Sequence, residues 1–231
     1  MKKRIAKLTF LLMILTVFSA MIAFGKNEQV TTGEDGVTRI YDAKGKLITN
    51  KPAYEVKTGK KAQYYGIDKD GVATLYQGTE MQAARQLCLI GAGSKKSTGN
   101  LKKAFKWAAD MKYLNNTRKL KGDAAAKYYG NYAFTEGRGD CNTVAYAFYW
   151  MAKVLGYPAE CVQGYVPNGS ISNLQSHAWV TIKFGKKLFV FDPDFNRVYR
   201  SRFGKNAGWK IKYGQKNTYK YFSPKKKEIK K

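Results

Sequence analysis

GDCNTVAYAFYWMAKVLGYP, residues 139–158, is the stretch that decides the fold. Asp140 is a favourable N-cap, because its carboxylate accepts a hydrogen bond from an early helix N–H. Val144, Phe148, Met151 and Leu155 then recur at helical spacing as one apolar stripe. Gly156 stands where a C′ residue ends a helix, and Pro158 blocks continuation. Cys141 therefore falls in the first turn, where unpaired N–H groups and the positive end of the dipole favour thiolate over thiol. A small buried hydrophobe is the other ordinary role of an unpaired cysteine. This stretch alone leaves the two readings level.

Downstream, Ser176-His177-Ala178-Trp179-Val180-Thr181-Ile182 and Leu188-Phe189-Val190-Phe191-Asp192 read as strands joined by a tight turn. A two-residue turn at Phe184-Gly185 puts His177 directly opposite Asp192. A turn at Gly185-Lys186 pairs His177 with Asp194 and makes Asp192 its diagonal neighbour. In both registers the side chains share one face, within reach of a long or aromatic group. A thiol nucleophile needs an imidazole beside it, and the imidazole needs a third group to fix its tautomer. Cys141, His177 and Asp192 supply those roles in chain order.

His177 is the only histidine in the chain, and a lone histidine is more often structural than catalytic. Its flanks reverse that expectation. Gly139-Asp140-Cys141 with its amphipathic helix, then Leu155-Gly156-Tyr157-Pro158-Ala159, Val162-Gln163-Gly164-Tyr165, His177-Ala178-Trp179 and Phe191-Asp192-Pro193 together resemble the transglutaminase-like superfamily. The resemblance implies an α+β fold: a papain-like transglutaminase core, with the nucleophile helix packed on an antiparallel sheet, preceded here by short β-hairpin repeats. It implies Cys141 as nucleophile, His177 as general base and acid, and Asp192 as orienter. The family's second oxyanion donor is usually an upstream side chain. No Gln or Trp stands at an obvious position, so Asn131 and Tyr129 are the candidates beside the Cys141 N–H. The resemblance implies no cofactor, and no acidic cluster supports calcium dependence.

The formal charge of +26, from 42 Lys and Arg against 16 Asp and Glu, makes nucleic acid, anionic membrane and anionic wall polymer plausible partners. No recognition motif points to specific nucleic-acid binding. Lys2, Lys3, Arg4 and Lys7 precede the apolar run Leu8–Gly25, as in a signal peptide cut after Gly25; an uncleaved anchor is the alternative. Either places the remainder outside the cytoplasm, secreted or at the cell surface. With Cys141 as the free nucleophile, Cys88 and Cys161 either pair or stay buried. The set Cys88, Cys141, Cys161 and His177 lacks the short Cys-x-x-Cys pair that nucleates zinc sites, so no metal is expected.

The expected organisation is a leader over 1–25, a linker and hairpin-repeat segment over 26–78, a catalytic domain over 79–223 and a basic tail over 224–231. Residues 26–36 read as a loose linker. Ile40-Tyr41-Asp42-Ala43-Lys44-Gly45 is echoed 26 positions on by Gly66-Ile67-Asp68-Lys69-Asp70-Gly71, each read as strand, Asp/Gly turn, strand. The second copy, with Tyr64 and Tyr65, resembles bacterial cell-wall-binding repeats without their usual Trp; hairpins merely packed on the catalytic domain fit as well. Helices are expected over 79–89, at Leu101–Met111 capped by Thr98 or Asn100, and briefly over 124–129. Residues 197–231 hold 13 Lys or Arg against Glu228 alone. Trp209, Ile211, Tyr213, Tyr219 and Tyr221 alternate there with basic residues, suggesting final strands with a cationic face and then a disordered tail.

The reading as a whole is a secreted thiol enzyme, a monomer, acting on peptide or amide bonds of a protein or wall peptide, and more a hydrolase than a crosslinker. Its basic C-terminal region would contact anionic wall polymer. The alternatives are a crosslinking transglutaminase and a non-catalytic surface-binding protein whose triad is vestigial.

Overall fold

The computed structural model describes residues 28–230, so the expected leader lies outside the described residues. Two small sheets come first. Strands β1 (Gln29–Thr32) and β2 (Thr38–Tyr41) pair antiparallel. Strands β3 (Lys51–Thr58), β4 (Lys61–Ile67) and β5 (Ala73–Leu75) form an antiparallel sheet in that order. The sequence repeat is real at the level of atoms. The Asp42 N–H donates to Lys46 O and Gly45 N–H to Asp42 O, and Asp42 Oδ1 accepts from the N–H groups of Lys44 and Lys46. Asp68, Gly71, Asp70 and Val72 repeat each of those bonds. Gly45 (φ +77°) and Gly71 (φ +83°) take the left-handed conformation the turn needs. Gly33–Gly36 makes a third turn of the same backbone pattern, so residues 29–36 of the expected linker belong to a paired hairpin.

Strand alternation explains how this segment is held. Tyr65, Ile67, Val56, Ile40 and Ala73 form a small core of their own, whereas Tyr64 and Ala53 face the main core. The hydroxyls of Tyr64 and Tyr65 bond Glu55 and Gln63. Both rings are buried, which fits the packing reading of the hairpins rather than an open aromatic cage.

The rest is helices around a three-stranded sheet. Helix α1 (Gly78–Leu89) leads to α2 (Thr98–Ala109), whose N-cap is Ser97 rather than Thr98 or Asn100: Ser97 Oγ accepts from Asn100 N at 3.2 Å. Helix α3 (Gly122–Glu136) is longer than the expected 124–129 and ends at Gly137, φ +64°. Helix α4 (Cys141–Val154) is buried almost all round. It packs on β8 (Ala159–Asn168), β9 (Ser170–Phe184) and β10 (Lys187–Phe191), antiparallel in the order β10-β9-β8. Phe148 of α4 meets Phe105 edge-on at 5.4 Å and Phe191 at 5.5 Å. A Phe148→Ala truncation at such a site costs about 3–5 kcal/mol.

Two sequence expectations fail after β10. Residues 193–203 form helix α5 (Pro193–Phe203), to which the sequence reading assigned no element, with Asp192 as N-cap and Pro193 at its first position, and the final strands expected around 209–221 do not form. Beyond it the chain is mostly turns, and it closes both edges of the sheet. Ile211 exchanges two backbone bonds with Val190, and Phe222 exchanges two with Tyr165. The expected disordered tail instead folds back: Ile229 N–H donates to Tyr221 O, and Ile229 packs on the cluster of Trp179, Val166, Val190, Ile211 and Tyr221.

Candidate active site

The start of α4 is fixed before any chemistry is placed. Asp140 Oδ1 accepts from Thr143 N at 3.0 Å, the cap that sequence predicts. Asp140 Oδ2 accepts from Thr117 Oγ1 and from Asn142 Nδ2, and Asp140 N donates to Asn116 Oδ1 at 3.1 Å. These bonds staple the loop 114–121 to the helix end. A short parallel pairing of β6 (Lys112–Tyr113) with β7 (Arg138–Gly139) holds the same two segments together. Gly139 has a steric reason: a Cβ there would lie 2.4 Å from the Thr143 side chain. Cys141 is thus held half-buried in the first helical turn.

The hairpin β9–β10 turns at Gly185-Lys186, since Lys187 pairs with Phe184. Of the two registers open in the sequence, this is the one that makes Asp192 diagonal to His177. The pairing ends at Phe191, and Asp194 lies in the first turn of α5 rather than on the strand. His177 Nε2 lies 2.8 Å from Asp192 Oδ2, and both side chains are buried. An ionised carboxylate only accepts, so Nε2 carries the proton, and Nδ1 faces Asp194 Oδ2 at 3.8 Å, with Cys141 Sγ within 4.8 Å of the ring nitrogen of that cluster. Burial pulls the imidazole pKa down, but the Asp192 charge and hydrogen bond, with Cys141, hold it well above 6.5. Asp192 is itself anchored twice more: Oδ1 accepts from Phe195 N at 2.8 Å, and Oδ2 accepts from Tyr221 Oη at 2.9 Å.

Asp194 sits on the other side of the imidazole. Its Oδ2 is 3.8 Å from His177 Nδ1, and its Oδ1 pairs with Arg197. Burial raises its pKa, with His177 and Arg197 working against that rise. Cys141 Sγ, a ring nitrogen of His177 and a carboxylate oxygen of Asp194 lie within 4.8 Å of one another. The other two cysteines do not take part, and the possible Cys88–Cys161 bridge is absent because both are free thiols. Cys88 donates toward Ala53 O at 3.5 Å, and burial raises its pKa to about 11; burial raises Cys161 further, against a hydrogen bond from Tyr146 that lowers it.

The expected oxyanion candidates are engaged elsewhere. Tyr129 Oη donates to Arg118 O and accepts from Arg118 N, and Asn131 Oδ1 accepts from Thr79 Oγ1 where α3 faces α1. The side-chain amide that stands by the thiol is Asn142, whose Nδ2 is 3.8 Å from Cys141 Sγ. Gln163 Nε2 donates to Asn142 Oδ1 at 3.0 Å, which fixes the amide with Nδ2 on the side of Cys141 Sγ and Asp140 Oδ2. Only its place next to Cys141 could have singled out Asn142. Tyr221 carries no local signal, being 29 residues from Asp192 in an irregular segment.

A cleft of about 450 Å³ opens at this centre, lined among others by Asn142, Gln163, Tyr165 and His177. One wall is the loop carrying Arg118, Lys119 and Lys121, and no Asp or Glu lines the cleft. A larger cavity of about 750 Å³ lies between the hairpin sheet and residues 95–96 and 154–156. Of Cys141, His177 and Asp192, none lines that larger cavity and His177 lines the smaller one beside Asn142, so the smaller cleft is the one placed for chemistry.

Residues 82–193 match the model of the transglutaminase-like superfamily, which bears out the family resemblance of the sequence over that stretch. Among solved structures, the periplasmic domain of TgpA from Pseudomonas aeruginosa is similar at 18% identity and a TM-score of 0.38, over 56% of this chain and 46% of that one. The same domain bound to ethylmercury matches at 16% and 0.37, over 52% and 45%. A protein from Cytophaga hutchinsonii, provisionally described as a cysteine protease, matches at 16% and 0.37, over 52% and 40%. The chain spans less than half the length of each of these structures. No curated protein matches the chain by sequence.

Proposed function

From a transglutaminase-like core over residues 82–193, we propose that this chain is a thiol acyl-transfer enzyme that hydrolyses peptide or amide bonds. The observation that carries the reading is His177 held between Cys141 and Asp192 at the mouth of a cleft. With its proton already passed to His177 Nδ1, Cys141 Sγ attacks the amide carbonyl as a thiolate. The Cys141 N–H, an orphan of the first helical turn, and Asn142 Nδ2 receive the negative oxygen. His177 returns the proton to the leaving nitrogen as the C–N bond breaks, giving a thioester. Water then attacks, His177 takes one of its protons, and the acid is released with the thiol restored.

Hydrolysis is favoured over transamidation by the charge of the cleft. An amine acceptor arrives protonated, and Arg118, Lys119 and Lys121 repel it, whereas water is unaffected. The same wall favours substrates with carboxylates near the scissile bond. The site of action is outside the cytoplasm, where the expected leader would deliver it. A wall peptide is a fitting substrate there, and anionic wall polymer a fitting partner for the basic surface.

The test supplies glutamine-containing and wall-type peptides with excess labelled primary amine, and follows products by mass with Cys141→Ala as the blank. Free acid should exceed amine adduct, acidic peptides should react faster than basic ones, and added salt should narrow that gap. Amine incorporation exceeding free acid would make the protein a crosslinker.

A further inference from the structure

We propose that the Cys141–His177–Asp194 cluster is a zinc-binding site, occupied reversibly by Zn²⁺ and mutually exclusive with reaction at the thiol. The three ligand atoms already lie within 4.8 Å of one another, and His177 Nδ1 is 3.8 Å from Asp194 Oδ2. A tetrahedral zinc with Zn–S of about 2.3 Å and Zn–N or Zn–O of about 2.0 Å spaces its ligands roughly 3.3–3.5 Å apart. The difference to be closed is a movement of side-chain size.

The surroundings are those of a metal site. A zinc-ligating histidine binds through one nitrogen and donates the other N–H to a carboxylate, which fixes the ring and raises its basicity. His177 does this: Nε2 is held by Asp192 at 2.8 Å, and the free nitrogen is the one facing the cluster. Arg197 pairs with Asp194 Oδ1 and leaves Oδ2 toward the imidazole. Thiolate, imidazole and carboxylate form a three-ligand set that leaves the fourth zinc position open, here toward the cleft lined by His177. On binding, Zn²⁺ replaces the proton held between Sγ and Nδ1, and one proton leaves to solvent. Cys141 and His177 would bind weakly as a pair. Asp194, which the hydrolytic reading does not use, supplies the third ligand.

The test uses the full chain, reduced and metal-free, with ZnCl₂ as the probe. Competition against a chromophoric chelator should give one zinc per chain. One equivalent should slow iodoacetamide labelling of Cys141 at least tenfold, with EDTA restoring the rate. X-ray absorption at the zinc edge should show one sulfur with nitrogen and oxygen ligands. Asp194→Asn should weaken zinc binding at least tenfold. Asp194→Cys, offering a softer ligand, should bind as tightly as the wild type or more so and add a second sulfur to the spectrum. Binding unchanged in Asp194→Asn, zinc without sulfur in its shell, or labelling of Cys141 undisturbed by bound zinc would each overturn the site. None of these readouts needs turnover, so a failure of the hydrolytic reading shows separately.

Discussion

Tyr221 Oη donates to Asp192 Oδ2, at 2.9 Å, the same oxygen that holds His177 Nε2 at 2.8 Å. A residue of the irregular C-terminal segment therefore shares the charge on which the imidazole depends. Burial and the Asp192 charge push the phenol pKa well above 10, so Tyr221 remains a donor at working pH.

Removing that donor in Tyr221→Phe should cost about 2 kcal/mol of stability, as for a hydrogen bond to a charged group. It also leaves Asp192 free to pull harder on the His177 proton. The alkaline limb of kcat/KM should therefore move upward. Denaturant unfolding and a pH–rate profile check both; an alkaline limb that moves down would refute the shared-charge account.

Asp192→Asn should lower kcat by roughly 10³–10⁴-fold, because an amide cannot stabilise the imidazolium and favours the wrong tautomer. Asp194→Asn should lower it less than tenfold, since its carboxylate lies 3.8 Å from Nδ1 and not on the Nε2 axis. Steady-state kinetics on both variants decides between them. The reverse order of damage would make Asp194 the orienter.

Iodoacetamide near neutral pH should label Cys141 alone in the folded protein. Cys88, raised to about 11, and Cys161, raised further, hold almost no thiolate there, whereas Cys141 has His177 to accept its proton. Mass mapping of the labelled peptides reads this directly. Comparable labelling of all three would contradict it.

The stability contributed by His177 has a definite pH sign. Its folded-state pKa lies well above the unfolded 6.5. The contribution is thus fully present below pH 6.5 and is lost as pH rises through the folded value. Unfolding of wild type and His177→Gln from pH 5 to 10 should give a gap that is constant at the acid end and shrinks upward. A gap that widens with pH would mean the imidazole is not held as a cation.

Asn142→Ala should reduce kcat about 10²–10³-fold with little change in KM, the usual cost of one oxyanion donor. Gln163→Ala, which only releases the Asn142 amide from its 3.0 Å bond, should have a smaller effect. Asn131→Ala should be near neutral for kcat, its side chain being held on Thr79 where α3 faces α1.

What the sequence revealed and what it hid divide along physical lines. Helix α4 was legible because its stripe, its Asp140 cap and its Gly156 stop are all local. His177 and Asp192 were legible as a pair because strand register is arithmetic once a turn is chosen, although two turns stayed open until Lys187 was seen to pair with Phe184. Helix α5 was hidden because it buries only Pro193, Phe195 and Asn196, too few for an apolar stripe. Its one local signal, Asp192 followed by Pro at the first helical position, coincides with the residue that the family resemblance makes the orienter. Asn142, Gln163 and Tyr221 act through contacts between distant segments, which no local period encodes.

The two oxygens of Asp192 tie the chemistry to a thinly packed helix. Oδ1 caps α5 through Phe195 N while Oδ2 steadies the imidazole. If the first turn of α5 frays, the carboxylate keeps only its Tyr221 bond, and the partner of His177 loosens with the central helix and sheet undisturbed. Heat inactivation is then a local melting, reached at a lower temperature than collapse of the core and reversed on cooling.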